Sequence, residues 1–320
     1  PTAGSLTGAA DVPRFAWGPE CLDDGSIRFR LWAPTQRRVL LALEKDGEEI
    51  PLQPHGDGWH EVITTHAHVG SRYRFKLTDG THVPDPASRF QPDDVMGPSE
   101  VTERAYPWKS RDWRGRPWHS AVIYEIHVGA FTPAGTFAAI VERLPHLVEL
   151  GVTAIQLMPI ADFPGRHNWG YDGVLPYAPD SSYGRPEELK ALVDAAHSQG
   201  LMILLDVVYN HFGPEGNYLA QYAPQFFTDR HQTPWGAAIN FDGPGARPVR
   251  DFFIENALYW LEEFRFDGLR LDAVHHLVDE SDTHILRELA VTVRACLPDR
   301  LVHLILENEE NEASHLERDG

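Results

Sequence analysis

Polar and apolar residues alternate along much of the first hundred positions. The pattern is clearest over Ser26–Trp32 and Arg72–Leu77, and Val39–Leu43 is a short apolar run. Alternation with a period of two is typical of half-buried strands, and Asp-Gly pairs between these runs indicate turns. We therefore predict a small β-sandwich over residues 13–105, preceded by a flexible segment at 1–12.

After residue 120 the pattern changes to short apolar runs that alternate with amphipathic stretches. Residues 106–120 contain three tryptophans and are predicted to form a linker packed on a neighbouring domain. Repeated strand–helix units predict a parallel sheet, either open or closed as a (β/α)8 barrel. The predicted strands lie at 121–126, 153–158, 201–208, 266–273 and 301–306, and the predicted helices at 136–150, 186–199, 249–264 and 281–296.

The net charge and the distribution of apolar residues exclude some classes of binding partner. The net charge of −19 argues against nucleic acid and against an anionic membrane surface. The sequence has no apolar run long enough to cross a bilayer and shows no signal peptide. Cys21 and Cys296 lie in different predicted domains, so we expect two free thiols and a cytoplasmic protein.

Charged residues lie at or near the ends of three predicted barrel strands. Arg270 and Asp272 share one face of their strand, opposite two leucines, and Glu307 follows another apolar strand. Asp206 lies inside an otherwise apolar run. Because burial of an isolated carboxylate is costly, these groups are expected to be paired or functional. Catalytic residues of βα barrels lie at the carboxyl ends of the strands.

A single acidic residue at a strand end is more often a helix cap or an ion-pair partner than a catalytic group. Three such residues on separate strands, one of them two positions after an arginine, favour function. An ionised aspartate near a second carboxyl group is the arrangement of retaining glycosidases. The sequence has no Gly-x-Gly-x-x-Gly motif after the first barrel strand and no P-loop, which argues against a dehydrogenase or phosphatase.

Several segments resemble the signatures of the α-amylase family of glycoside hydrolases (family 13). The matching segments are Asn168–Asp172, Asp206–His211, Gly268–His276 and Glu307, in the order in which they occur in that family. The resemblance spans essentially the whole chain. It implies an immunoglobulin-like β-sandwich followed by a catalytic (β/α)8 barrel.

The resemblance also implies roles for individual residues. Asp272 matches the nucleophile and Glu307 the general acid and base, while Arg270 matches the residue that orients the nucleophile. Asn210 matches a calcium-ligand position of some amylases, but one asparagine is weak evidence, and we expect no metal and no cofactor. The implied substrate-binding residues are Arg270, His211, Tyr171, Asp206, His276 and Trp169.

Four of these side chains, and one further tryptophan, have plain structural alternatives. His211 and His276 could be ordinary satisfied histidines, and Tyr171 and Trp169 could be core aromatics. Trp235, in a Pro-Trp-Gly turn, is expected to serve packing more than sugar stacking.

Within the family, Asn168–Val174, Tyr209–Tyr218 and Leu271–His275 are most similar to the trehalohydrolases that act on maltooligosyltrehalose. That group implies hydrolysis of the α-1,4 bond next to a terminal trehalose, on a substrate made by a maltooligosyltrehalose synthase. A branching or debranching enzyme, and a non-catalytic glucan-binding fragment, remain open.

The family's fourth signature, a His-Asp pair with a third carboxylate, should follow a later strand and does not occur in the 320 residues. A complete barrel has eight strands, and the sequence predicts five. We therefore expect a barrel truncated after about strand five, and little or no activity from these residues alone.

Overall fold

The computed structural model describes residues 15–310, so the predicted flexible segment at 1–12 lies outside the described residues. Nine strands form the first part of the chain. They are β1 Glu20–Cys21, β2 Ile27–Trp32, β3 Leu40–Leu43, β4 Glu49–Pro51, β5 Gln53–Pro54, β6 Trp59–Thr64, β7 Arg72–Lys76, β8 His82–Val83 and β9 Ser99–Glu100.

These strands build two antiparallel sheets that enclose an apolar core. One sheet has the order β1-β2-β6-β5, and the other the order β4-β3-β7-β8, with β9 also paired to β7. Phe29, Leu31, Leu41, Tyr73 and Phe75 are fully buried. Alternate side chains of β2 and β7 therefore fill the space between the sheets, as the period-two pattern predicts.

Strands and helices alternate in the second part of the chain. The elements are β10 Ile123–Ile126, α1 Val128–Phe131, α2 Phe137–Val141, α3 Leu144–Glu149, β11 Ala154–Leu157, β12 Ala161–Asp162, β13 Leu175–Pro179, α4 Pro186–Ser198, β14 Met202–Val207, α5 Leu219–Tyr222, β15 Phe227–Thr233, β16 Gly236–Ile239, α6 Ala246–Glu262, β17 Gly268–Leu271, α7 Ile285–Cys296 and β18 His303–Leu306.

The five predicted barrel strands are confirmed as one parallel sheet of order β10-β11-β14-β17-β18. Sequential strands are neighbours throughout, which is the strand order of a βα barrel. Within residues 15–310 the sheet is open, with β10 and β18 at its edges. β12 pairs with β13, and β15 with β16, as two antiparallel hairpins outside this sheet.

The helix predicted at 136–150 is wrong in one respect, because two short helices replace it. Thr136 caps α2 by accepting a hydrogen bond from the Ala139 N–H, as expected for threonine at this position. The chain then turns at Glu142 and Arg143, and Pro145 lies in the first turn of α3. Proline lacks the N–H that a continuous helix would need there, so it starts a new helix.

Aromatic side chains join the sandwich to the barrel. The Trp17 ring lies 4.8 Å from Trp59 in the sandwich, and 5.7 Å and 4.9 Å from Phe226 and Phe252 in the barrel. The Trp17 backbone N–H and that of its neighbour both donate to the Glu255 carboxylate. The two domains therefore share one continuous apolar core.

The predicted linker also packs on the barrel. The Trp113 Nε1–H donates to the Asp267 carboxylate at 2.7 Å, and the Trp113 ring stacks on His197. The backbone N–H groups of Lys109 and Ser110 donate to Asp194 on α4. The segment thus has side-chain anchors although it has almost no regular secondary structure. Cys21 and Cys296 are both free thiols.

A buried carboxyl pair lies beside the loop that leads to Trp169. Asp162 is fully buried, and neither of its carboxyl oxygens makes a hydrogen bond of normal geometry among the described residues. Burial raises its pKa, and the Asp180 carboxylate raises it further. Burial also raises the pKa of Asp180, to about 6.

We predict that Asp162→Asn raises the melting temperature at pH 8 by about 2–4 °C and by less at pH 5. The folded-state pKa of Asp162 lies above its unfolded value, so wild-type stability falls as pH rises through the folded-state pKa. The asparagine does not titrate and avoids this loss. Thermal melts at the two pH values measure the difference.

Asp194→Asn is the matched control with the opposite sign. Burial alone would raise the pKa of Asp194, but hydrogen bonds from Ser110 and Lys109 lower it. Its ionised form therefore stabilises the fold, and its asparagine variant is expected to melt lower at pH 8. An Asp162→Asn protein that loses stability equally at both pH values would contradict the prediction.

Candidate active site

The site forms where β14, β17 and β18 end. Asp206 pairs in register with Arg270 across β14 and β17. Beyond the strand ends, the Asp272 N–H donates to Val207 O, and the Glu307 N–H donates to Leu271 O. The ladder therefore continues one residue further and holds both carboxylate residues on the inner face of the sheet.

The Arg270 guanidinium lies at the centre of the site. Its Nη1 donates to Asp206 Oδ2 at 2.7 Å and to Asp272 Oδ1 at 2.8 Å, and its Nη2 lies 3.6 Å from Glu307 Oε2. Burial alone would lower the Arg270 pKa, but the carboxylates, led by Asp206, raise it above its ordinary value. One permanent positive charge is thus shared by three acidic residues.

Asp206 is the most deeply buried member of the cluster. Its Oδ2 accepts from Arg270 and also from the Tyr171 hydroxyl at 3.1 Å. Burial raises the pKa of Asp206 to about 7, against the opposing effect of Arg270 and the Tyr171 hydrogen bond. Burial and Asp206 also raise the pKa of Tyr171, which keeps its hydroxyl protonated as a donor.

The left-handed backbone conformation of Ala273, which follows Asp272, orients the Glu307 side chain. Ala273 has a φ of 43°, an unfavourable conformation for a residue with a Cβ. This turn points the Ala273 N–H at Glu307 Oε2, with a hydrogen bond of 2.7 Å. The Glu307 side chain stays one-third exposed, so its other oxygen is accessible from the cleft.

Asn210 and His211, which follow β14, contact Asp272 and the loop that carries Tyr171. The Asn210 amide donates to Asp272 Oδ2 at 3.1 Å and to the Asp272 carbonyl oxygen at 2.8 Å. His211 contacts Asn210 Oδ1 through Nδ1 and Tyr171 O through Nε2. Burial lowers the His211 pKa.

The Tyr171 loop approaches the sheet closely at Gly170. Gly170 has a φ of 101°, and a Cβ at this position would lie 2.0 Å from Pro159 O. Only glycine fits this conformation and this contact. It places Trp169 and Tyr171 on the rim and floor of the site.

Trp235 lines the cleft, where its ring packs on two site histidines and also stays exposed to a ligand. It lies in the turn of the β15–β16 hairpin and is 49% exposed. Its ring stacks on His211 at 4.8 Å and contacts the edge of His276 at the same distance. Trp169 is 75% exposed on the same cleft.

The cleft is open and has a volume of about 550 Å³. Six of the eight predicted site residues line it, and Asp206 and Arg270 lie beneath. The lining is Trp169, Tyr171, Asp172, His211, Pro234, Trp235, Asp272, Ala273, His275, His276, Glu307 and Glu309.

One cluster of metal-ligand type was found among residues 15–310, at His231, Asp242 and Glu280. Arg230 lies 3.0 Å from the Asp242 carboxylate and 3.3 Å from Glu280. This arginine already supplies positive charge, so the cluster is an ion-pair network. None of its members lines the cleft.

The family described as the alpha amylase catalytic domain matches residues 73–257, more than half of the chain. The chain belongs to the α-amylase family. A second family, carbohydrate-binding module 48 (isoamylase N-terminal domain), matches residues 16–90. The predicted order of a sandwich followed by an α-amylase catalytic domain is thereby confirmed.

Several similar curated proteins are named malto-oligosyltrehalose trehalohydrolase. The chain is 50% identical over 280 residues to a malto-oligosyltrehalose trehalohydrolase of Deinococcus radiodurans, covering 87% of this chain and 46% of that protein. It is 46% identical over 272 residues to the enzyme of that name from Saccharolobus solfataricus, covering 85% and 48%. The chain spans about half the length of the curated relatives it matches.

Solved structures agree on the fold. A Salmonella typhimurium protein named as a candidate alpha amylase superposes with a TM-score of 0.90 at 48% identity, covering 94% of this chain and 51% of that one. A Paenibacillus barengoltzii pullulanase has a TM-score of 0.75 at 24% identity, covering 88% and 52%, and supports the fold alone.

Trp235 gives a prediction about ligand binding. Because it is half-exposed and stacks only at the cleft, Trp235→Ala should leave the melting temperature nearly unchanged and weaken maltooligosaccharide binding about 10-fold. Titration calorimetry with the variant measures this. Trp118→Ala is the matched control, since Trp118 is 46% exposed and does not line the cleft. Equal affinities for the two variants would contradict the prediction.

Proposed function

We propose that this chain carries the nucleophile and the general acid of a retaining glycoside hydrolase that releases trehalose from maltooligosyltrehalose. The observation that carries the proposal is the Arg270 guanidinium between Asp206 and Asp272, with Glu307 held beside it by the Ala273 N–H. The names of the similar trehalohydrolases support this choice of substrate.

The proposed mechanism has two steps. Asp272, held by a hydrogen bond from Arg270, attacks the anomeric carbon while Glu307 protonates the leaving glycosidic oxygen. The free trehalose departs and leaves a covalent glycosyl ester on Asp272. Glu307 then removes a proton from water, which attacks the ester and restores the configuration of the anomeric carbon.

Other residues bind and orient the sugar in this proposal. Tyr171 supplies an aromatic surface under the reacting ring, and Asp206 holds both the Tyr171 hydroxyl and Arg270 in place. His211, His276 and Trp169 bind neighbouring hydroxyls and rings, together with Trp235. The sandwich acts as a structural support, since its described tryptophans are packed in or against the core.

A second candidate is a glucan branching enzyme. The chain is 36% identical over 268 residues to a Streptomyces avermitilis protein named 1,4-alpha-glucan branching enzyme, covering 77% of this chain and 45% of that protein. The lower identity makes it second choice. New branch points in amylose, without free trehalose, would favour it.

We also propose a cytoplasmic location and a place after a maltooligosyltrehalose synthase, because the proposed substrate requires one. No helix among the described residues is long and apolar enough to cross a membrane.

Substitution of the two carboxyl residues tests the proposal. In the enzyme made from the natural gene, Asp272→Asn and Glu307→Gln should each lower the rate of trehalose release at least about 10³-fold. The wild-type pH profile should be bell-shaped, because a retaining mechanism needs an ionised nucleophile and a protonated general acid at the same time. Trehalose is quantified by chromatography, with the 320-residue chain assayed in parallel.

The control for these variants is Glu309→Gln, which changes a nearby exposed carboxylate at the cleft edge and should retain most of the activity. Wild-type rates in either Asp272→Asn or Glu307→Gln would overturn the assignment. Glucan affinity without turnover, unchanged by Glu307→Gln, would instead support a non-catalytic glucan-binding protein.

A further inference from the structure

Asn210 is almost fully buried, and its side chain is directed at the proposed nucleophile. It is 1% exposed and lies in the segment that follows β14. Asp272 follows β17, the strand that pairs with β14. Its Nδ2 donates to Asp272 Oδ2 at 3.1 Å and to the Asp272 carbonyl oxygen at 2.8 Å.

We infer that Asn210 is a positioning residue that fixes the plane of the Asp272 carboxylate and directs its Oδ2 at the anomeric carbon. This inference rests on the proposed function. Arg270 Nη1 holds Asp272 Oδ1 at 2.8 Å, and Asn210 holds Oδ2. Arg270 lies on β17, and Asn210 lies in the segment after β14. Because these two donors hold different oxygens of the carboxylate, together they prevent its rotation about the Cβ–Cγ bond, which neither donor alone would do.

The two oxygens are held in chemically different ways. Oδ1 accepts from a guanidinium, which draws electron density from it, whereas Oδ2 accepts from a neutral amide. A carboxylate oxygen has two lone pairs, so Oδ2 keeps one for attack while it accepts from Asn210. Oδ2 forms the bond to the anomeric carbon, the glycosidic bond breaks, and its electron pair goes to the leaving oxygen, which takes the Glu307 proton.

The orientation of the Asn210 amide follows from its neighbours. A flipped amide would place Asn210 Oδ1 against two oxygens of Asp272, which are acceptors. In the observed orientation Nδ2 donates to both Asp272 oxygens, and Oδ1 contacts His211 Nδ1. The amide therefore links the nucleophile to His211, whose ring stacks against Trp235.

A role confined to bracing the loop is the competing explanation, since the bond to the Asp272 carbonyl oxygen would serve it. The hydrogen bond to Asp272 Oδ2 distinguishes the two roles, because only the positioning role depends on it. Loss of a hydrogen bond to the ionised carboxylate should slow the chemical step and raise the pH at which Asp272 ionises. Loss of a loop brace lowers stability without moving that pH.

The test uses the enzyme made from the natural gene, with maltooligosyltrehalose as substrate. Asn210→Leu removes the donor at similar volume, and Asn210→Asp replaces the donor by a carboxylate of the same shape. Both variants should lower kcat about 10- to 100-fold with KM changed less than about threefold. Both should move the acid limb of the pH profile up by about one unit.

Asn256→Leu is the matched control. Asn256 is fully buried on α6, accepts from the Tyr209 hydroxyl and donates to Pro176 O, and does not line the cleft. Its leucine variant should lose melting temperature as Asn210→Leu does, with an unmoved acid limb.

Wild-type kcat and an unmoved acid limb in the Asn210 variants would overturn the inference. If Asn210→Leu does not fold, Asn210→Asp decides by the same two measurements. Asp272→Asn is assayed beside them, because activity in that variant means that the proposed function has failed. An inactive Asp272→Asn with fully active Asn210 variants means that only this inference has failed.

Discussion

The site depends on one partly buried positive charge that three carboxyl groups share. Without Arg270, Asp206 would be a buried carboxylate with only the Tyr171 hydroxyl as partner, and Asp272 would lose its charged neighbour. A protein interior does not hold such a group ionised without compensation. The arginine therefore sets the charge state of the site, and the parallel sheet sets its geometry by placing the contributing strands side by side.

Much of this could be predicted from the sequence because it depends on local patterns. The apolar run of β14 and the paired leucines beside Arg270 fix which face of each strand is buried. Adjacent parallel strands then bring Asp206, Arg270 and Asp272 to one end of the sheet. The helix cap at Thr136 and the chain turn near Pro145 also follow from local sequence. The helix there is nevertheless interrupted more fully than the periodicity indicates.

Other features depend on contacts between distant segments. Trp235 lies in a turn of the β15–β16 hairpin, and nothing in its neighbourhood along the chain shows that this hairpin folds over His211. The left-handed conformation of Ala273 is equally hidden, since glycine or asparagine would be expected there. Asn210 lies in a recognisable motif, but its contact with Asp272 appears only in three dimensions.

The shared aromatic core has a consequence for how such proteins diverge. Trp17 packs at once against Trp59 of the sandwich and against Phe226 and Phe252 of the barrel. Phe226 directly precedes β15, the first strand of the hairpin that carries Trp235. A sandwich from another relative could replace this one only if it presented a matching ring to the same two phenylalanines. The two domains are therefore expected to evolve together. Substitutions at their junction are constrained, because the same residues support the hairpin that lines the cleft.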